Sequence, residues 1–283
     1  MIYISTSCIK ESSKISDSVL TLVENGFDRI ELSGGTEFYD NYKKDLISLK
    51  SEYDLNYVLH NYFPPPKDHF VLNLASLDDK VFNQTLEHYK RAIELSELLN
   101  AERYGLHAGF LIDPHVAELG KKISKDNLYD RQKCIERFCF GYNKLLDFSD
   151  KVKIYIENNV FSYKNSLNFP SNPFLVTDYN TYLELNKFIN FPILLDMAHL
   201  KVSCNTLGLD FVNETKKIIP LSDYIHISDN DGKSDSNQHI QEKTDLTNIL
   251  TSSELENKTF TLEIYSGIQK VKDSYNILNS ILS

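Results

Sequence analysis

The chain has 283 residues, of which 41% are apolar and 12% aromatic, and 30 basic against 40 acidic side chains give a formal net charge of −10. That is enough apolar material for a large core, and barrels of alternating strands and helices reach about 250 residues as one unit. No stretch approaches the roughly 18 consecutive apolar residues of a membrane helix. The acidic balance, with only five arginines and none clustered, disfavours DNA or an anionic bilayer as partner.

The opening MIYISTSCIK reads as a first strand, because it lacks the basic leader, sustained apolar stretch and cleavage site of an export signal. Cys8, Cys134, Cys139 and Cys204 form no C-x-x-C pair, which fits reduced thiols in a cytoplasmic protein.

In chain order the predicted strands are 2–6, 29–33, 56–60, 103–107, 153–157, 192–196, 223–227 and 260–264. Their starts lie between 27 (2 to 29) and 50 (103 to 153) residues apart, room for a returning helix in each interval, as parallel strands require. The clearest helix spans 78–99, where Asp78 can cap and Val81, Phe82, Leu86, Tyr89, Ile93 and Leu98 follow a helical period. Another begins near Thr177, and Gly26 and Gly120 stand where helices should stop. Long connections follow the third, fourth and fifth strands (YFPPPKDHFVLNLAS, AGFLIDPHVAELG and NNVFSYKNSLNFPSNPF), and such loops in a compact fold carry binding function or form lids. No linker or repeat divides the chain, so residues 1–283 are expected to form a single domain, an α/β (β/α)8 barrel with its site at the C-terminal mouth.

Six apolar runs end on or beside a residue able to bind a metal or move a proton: His60, His107, Glu157, Asp196 with His199, His226 with Asp229, and Glu263. A His, Asp or Glu in a buried strand is costly unless paired or ligated, so these ends are expected to converge. Glu157, Asp196, His226 and Glu263, on strands five to eight, give three carboxylates and one imidazole, a set for one divalent ion, Mn, Mg, Co or Zn. A carboxylate beside a metal-polarised carbonyl can move a proton through an enediolate, and Glu157 and Glu263 are the candidates. His60, His107, His199, His239, Lys201, Asn158 and Asp229 are candidates for substrate contact or a second metal. Glu31, ahead of an SGG turn, is a further candidate for orienting hydroxyls. Tyr62 and Phe63 either wall the site or pack their loop, and His69, His88 and His115 are expected at the surface.

Taken together, GFDRIELSGG, LHAGF, IENN, LDMAHLKVS, HISDNDG and LEI resemble the sugar isomerase/epimerase-like barrels, which include xylose isomerases, ketose 3-epimerases, hydroxypyruvate isomerases and endonuclease IV. The resemblance spans most of the chain. It implies that Glu157, Asp196, His226 and Glu263 are the metal quartet of a ketose epimerase, with Glu157 and Glu263 facing each other across the substrate. It also offers an alternative, a zinc phosphodiesterase acting on abasic DNA as endonuclease IV does, for which His60, His107, His199 and His239 match the extra histidines. That alternative needs an aspartate where this chain has Asn237, and Asp235 would serve only if the loop were rearranged. The glycine-rich turn of many relatives is replaced after His239 by IQEKTDL, which leaves substrate specificity open. The resemblance and the residues together imply a metal-dependent isomerase or epimerase of a sugar or sugar derivative, free, phosphorylated or a surface-glycan precursor. The expected partner is that small molecule, not nucleic acid or a membrane, with self-association left open and no organic cofactor. A barrel that binds sugar or metal without turnover is the remaining alternative.

Overall fold

The computed structural model describes residues 1–118, 121–169 and 171–283, so the helix stop expected at Gly120 lies outside the described residues. The strands are β1 (Ile2–Ser5), β2 (Arg29–Leu32), β3 (Asn56–His60), β4 (Arg103–His107), β5 (Lys153–Glu157), β6 (Ile193–Asp196), β7 (Tyr224–Ile227) and β8 (Thr259–Leu262). All pair in parallel with their sequence neighbours, and β1 pairs with β8 to close the barrel. The helices are α1 (Ile15–Glu24), α2 (Tyr42–Tyr53), α3 (Asp79–Leu98), α4 (Arg131–Leu146), α5 (Tyr163–Ser166), α6 (Tyr179–Asn186), α7 (Met197–Leu207), α8 (Phe211–Ile218), α9 (Asp245–Thr251) and α10 (Ile268–Leu282). The expected (β/α)8 barrel is therefore what the chain forms. None of the described helices is long and apolar enough to cross a membrane.

Strand ends differ from expectation by up to two residues, and two of the shifts matter. β8 stops at Leu262, which puts Glu263 just beyond its strand. β6 runs directly into α7, because the Asp196 side chain accepts the His199 N–H at 2.7 Å and so caps the helix that follows. The helix expected near Thr177 starts slightly later, where Asp178 accepts from the Asn180 and Thr181 N–H groups and Thr181 bonds back, a reciprocal capping box. In α3, Asp78 caps as expected, but the apolar stripe leaves the helix early: Leu95 is buried whereas Leu98 is exposed.

One expectation about side chains is corrected. His88 is buried on α3, edge-on to Phe70 and Tyr89, and burial depresses its imidazole to about 4, so it packs as a neutral ring. His69 and His115 are exposed as expected. Phe63 is buried against Tyr42 and packs its loop, while Tyr62 turns toward the barrel mouth.

The barrel interior below the mouth is filled by Tyr3, Val58, Tyr155, Leu194 and Tyr224. Tyrosines take the place of branched aliphatics here, and the Tyr155 and Tyr224 rings meet edge to face at 5.3 Å. At Gly105 in β4, a Cβ would come within 2.8 Å of Leu194 and 2.9 Å of His60. The missing side chain gives His60 its space inside the barrel. The floor is thus filled, and the residues of the mouth stand on it.

Candidate functional site

The strand register brings the polar ends to neighbouring levels. His107 is aligned with Glu157 across β4 and β5, and Asp196 with His226 across β6 and β7. Of the residues expected to converge, Glu157, Asp196, His226 and Glu263 do so, and Asp229 does not. His226 Nδ1 lies 3.4 Å from Glu157 Oε1, 3.8 Å from Glu263 Oε2 and 4.0 Å from Asp196 Oδ2. Glu157 and His226 are completely buried.

Each of the four has its other polar atoms occupied. Glu263 Oε1 accepts from Ser7 Oγ at 3.0 Å and Ser5 Oγ at 3.3 Å. Asp196 Oδ1 is the helix cap. His226 Nε2–H donates to Glu31 Oε2 at 2.8 Å, which fixes the ring and turns the Nδ1 lone pair toward the three carboxylates. Glu157 Oε2 receives the His60 Nε2–H at 2.7 Å, with His107 Nε2 at 2.9 Å.

What remains is a set of buried atoms aimed at one another without hydrogen bonds. Glu157 Oε1 and His226 Nδ1 have no hydrogen-bond partner among the described residues. Donors that share a cation at about 2.0–2.2 Å lie roughly 3–4 Å apart, and each of the three carboxylates lies at about that distance from His226 Nδ1; ligand atoms of Glu157, Asp196 and His226 come within 4.8 Å of one another, as do those of Glu31, His60, His226 and Glu263. Three carboxylates gathered around one imidazole also require positive charge to offset their burial. The donor set therefore fits a divalent ion.

Protonation follows the same crowding. Burial alone would raise the Glu157 carboxyl, but the His107 and His60 imidazoles outweigh it and hold the group well below the usual range. Burial raises Asp196 to about 7 against the pull of His199, with Glu157 and Asp235 adding to the rise. Burial opposes charge on His226, yet Glu31 and Glu157 lift its pKa well above the ordinary imidazole value. A proton and a cation are alternative occupants of such a cluster.

Glu31 departs from expectation. Its carboxylate is fully buried and accepts from Tyr224, His226 and Thr261, so it positions His226 and does not line the cavity. Asn158 is also structural: its amide bonds both the N–H (2.7 Å) and the carbonyl (3.0 Å) of Asp196, splicing the end of β5 to that of β6. Lys201 places its ammonium 2.6 Å from Asp229 Oδ1 and 2.7 Å from the Asn230 carbonyl. Lys201, Asp229 and Asn158 therefore stand outside the cavity lining.

His199 and His239 do not meet. His199 Nδ1–H donates to the Asn158 carbonyl at 2.8 Å, and Nε2 faces Asp235 Oδ2 at 3.3 Å. Asp235 thus lines the cavity and faces His199. His239 lies instead near Asp273 of α10, and Asn237, at a φ of 44°, enters the cavity together with Asp235.

The cavity occupies about 590 Å³ at the C-terminal mouth, within the range of small-molecule sites. Glu157, His60, His107, His199 and Glu263 line it on one side, with Asp196 and His226 buried behind them. Thr6, Ser7, Lys10, the 33–36 turn, Asn61 and Tyr62 complete the lining, with Ser7 in contact with Glu263. Of this second group the sequence flagged only Tyr62 and the SGG turn, since isolated Ser, Thr and Lys residues carry no spacing signal.

A sequence model described as "Xylose isomerase-like TIM barrel" matches residues 19–278. The chain belongs to the xylose isomerase-like TIM-barrel family. No curated protein matches it by sequence. Among solved structures it is similar to a D-tagatose 3-epimerase-like protein, at 19% identity and a TM-score of 0.74, over 99% of this chain and 96% of the other. A D-psicose 3-epimerase from Clostridium cellulolyticum, solved with D-tagatose, gives 11% identity and a TM-score of 0.68, over 100% and 99%. Endonuclease IV from Thermus thermophilus gives 14% and 0.62, over 99% and 97%. Likeness at these identities carries the fold; within this family it spans sugar epimerases and a nuclease alike.

Proposed function

We propose that this chain is a divalent-metal-dependent isomerase or epimerase of a sugar or sugar derivative, folded as one domain. Glu157, Asp196, His226 and Glu263 hold the ion, and Glu157 and Glu263 move the proton. The observation that supports this reading best is the pair of unpartnered, buried atoms, Glu157 Oε1 and His226 Nδ1, facing Asp196 and Glu263.

A bound divalent ion would supply Lewis-acid polarisation of a carbonyl and its neighbouring hydroxyl, acidifying the carbon–hydrogen bond between them. One carboxylate takes that proton while the bonding electrons move to the carbonyl oxygen, giving the substrate's enediolate. The other carboxylate returns a proton to the opposite face or the adjacent carbon. Ser5 and Ser7 hold Glu263 in place, and His60 and His107 stabilise the anionic form of Glu157. Tyr62 forms a wall, and the buried tyrosine floor closes the cavity from below.

The test is solvent-deuterium incorporation into ketose substrates with Mn²⁺ added. Glu157→Gln and Glu263→Gln are each expected to abolish exchange, by at least about a thousandfold, in a protein of unchanged circular dichroism. Continued exchange in both variants would falsify the assignment. Ion uptake without exchange by the wild type would instead identify a binding barrel.

A second reading has its own observations. His60, His107 and Glu157 form a further group able to hold an ion, and Asp235 faces His199. Both suit a multi-metal phosphodiesterase. Among the residues lining the cavity, however, Lys10 is the sole lysine or arginine, a poor grip for successive phosphates. Incision of an abasic-site duplex in the presence of Zn²⁺ decides it, and an intact duplex removes this reading.

A further inference from the structure

The two sides of the cavity are chemically unlike. Its carboxylates, Glu157, Asp235 and Glu263, come from β5, the loop after β7 and the end of β8. The loops after β1 and β2 supply neutral donors and one ammonium.

The turn after β2 is anchored at both ends: the Ser33 N–H donates to Thr6 Oγ1 at 2.9 Å and the Glu37 N–H to the Ser13 carbonyl at 2.7 Å. Between them, the N–H groups of Gly34, Gly35 and Thr36 have no protein partner among the described residues. Thr36 is only 6% exposed, and its Oγ1 has none either. Gly35 has a φ of +102° whereas Gly34 is not left-handed, and such a change of hand can point successive amides into one concavity, the arrangement of an anion-binding nest. A Cβ on Gly35 would meet nothing within 4 Å, so the space over the turn is open. Lys10 lines the same cavity, its ammonium 4.0 Å from the centroid of the Tyr265 ring, and it makes no ion pair with a carboxylate among the described residues.

Free amides, an orphaned hydroxyl and an unpaired ammonium together select a group with several acceptor oxygens and negative charge. A neutral sugar end would leave Lys10 without a counter-charge. An anion placed at the end of β5 or against Asp235 would meet a carboxylate with no ammonium beside it, whereas Lys10 stands over Tyr265.

We propose that the 33–36 turn and Lys10 bind an oxyanion at the end of the substrate remote from the reacting carbons, so that the substrate is an acidic sugar, a phosphate monoester or a sugar carboxylate. The position of the reacting carbons rests on the proposed function, but the oxyanion site does not.

Binding, without turnover, separates the two. Titration calorimetry of the Mn²⁺-loaded protein compares D-fructose, D-fructose 6-phosphate, D-fructuronate and inorganic phosphate. At least one acidic sugar is expected to bind about tenfold or more tightly than D-fructose, and the better of the two identifies the oxyanion. Lys10→Gln, a change at an exposed position, is expected to reduce that acidic-to-neutral ratio about tenfold, and Thr36→Val to reduce it less. Equal affinity for neutral and acidic sugars, no binding of any acidic probe at millimolar concentration, or a ratio untouched by Lys10→Gln each overturns the proposal. Since no exchange is measured, loss of the isomerase reading would leave this result standing.

Discussion

The β5–β8 half of the mouth and the β1–β3 half handle buried polarity in opposite ways. In the first, charged groups crowd together: Glu157 is fully buried, and one of its oxygens and one of Glu263 lie within 4 Å of a single imidazole nitrogen. In the second, Glu31 lies beneath the cavity, and the lining apart from Lys10 and His60 is neutral and partly backbone, with the turn held by Thr6 and Ser13. Buried charge requires a counter-charge, whereas buried donors require an acceptor of the right shape. The charged half should therefore respond to changes of charge, and the donor half to changes of shape.

The sharpest break is His226→Ala. It deletes one donor of the quartet and strips Glu31 of an N–H donor in a fully buried position. Mn²⁺ affinity, followed by electron paramagnetic resonance titration, is expected to fall about a hundredfold or more, with a stability loss of about 3 kcal/mol from the uncompensated carboxylate. His226→Gln keeps an amide able to face Glu31, so it is expected to recover stability without recovering affinity. Unchanged Mn²⁺ binding in both variants would move the ion elsewhere.

Glu31→Gln tests the layer beneath. The carboxylate holds the Nε2 proton of His226 and so keeps Nδ1 free as a donor; an amide is a weaker acceptor and removes the charge. Metal affinity is expected to drop about tenfold to a hundredfold, less than in His226→Ala, because all four quartet residues remain. An effect equal to that of His226→Ala would mean that Glu31 is itself a ligand.

Glu31 also shows where the sequence stopped being informative. Glu157, Asp196, His226 and Glu263 were legible because an apolar run ending in a polar residue marks both the strand and its mouth-facing end. Glu31 looked like a member of the same class, but its register opposite Ser5 and Val58 puts it below the mouth, and depth within a staggered barrel is not written in one strand. Asp235 was named only on condition of a rearranged loop, for a different reason. Its reach depends on the path of a loop held by the Asp229–Gln238 backbone pair, a contact that no local pattern announces. His88 shows a third limit: its helix position was readable, but the burial supplied by Phe70 from a preceding loop was not.

Gly34→Ala is the mild counterpart, and it probes shape alone. A methyl group there would lie 2.8 Å from the Cβ of Tyr62, and since both carbons are fixed to backbone, neither can swing aside. The turn or the loop after β3 must shift by some tenths of an ångström, at a cost of about 1–3 kcal/mol. Because the free amides sit on that turn, affinity for the acidic sugar probes is expected to fall several-fold. Mn²⁺ affinity should stay within about twofold, since no quartet residue belongs to the turn. The pattern is the reverse of His226→Ala, which removes the ion and leaves the turn alone. If Gly34→Ala weakened Mn²⁺ as much as it weakened the acidic probes, the two halves would be one mechanically coupled unit, and the division between charge and shape would have to be abandoned.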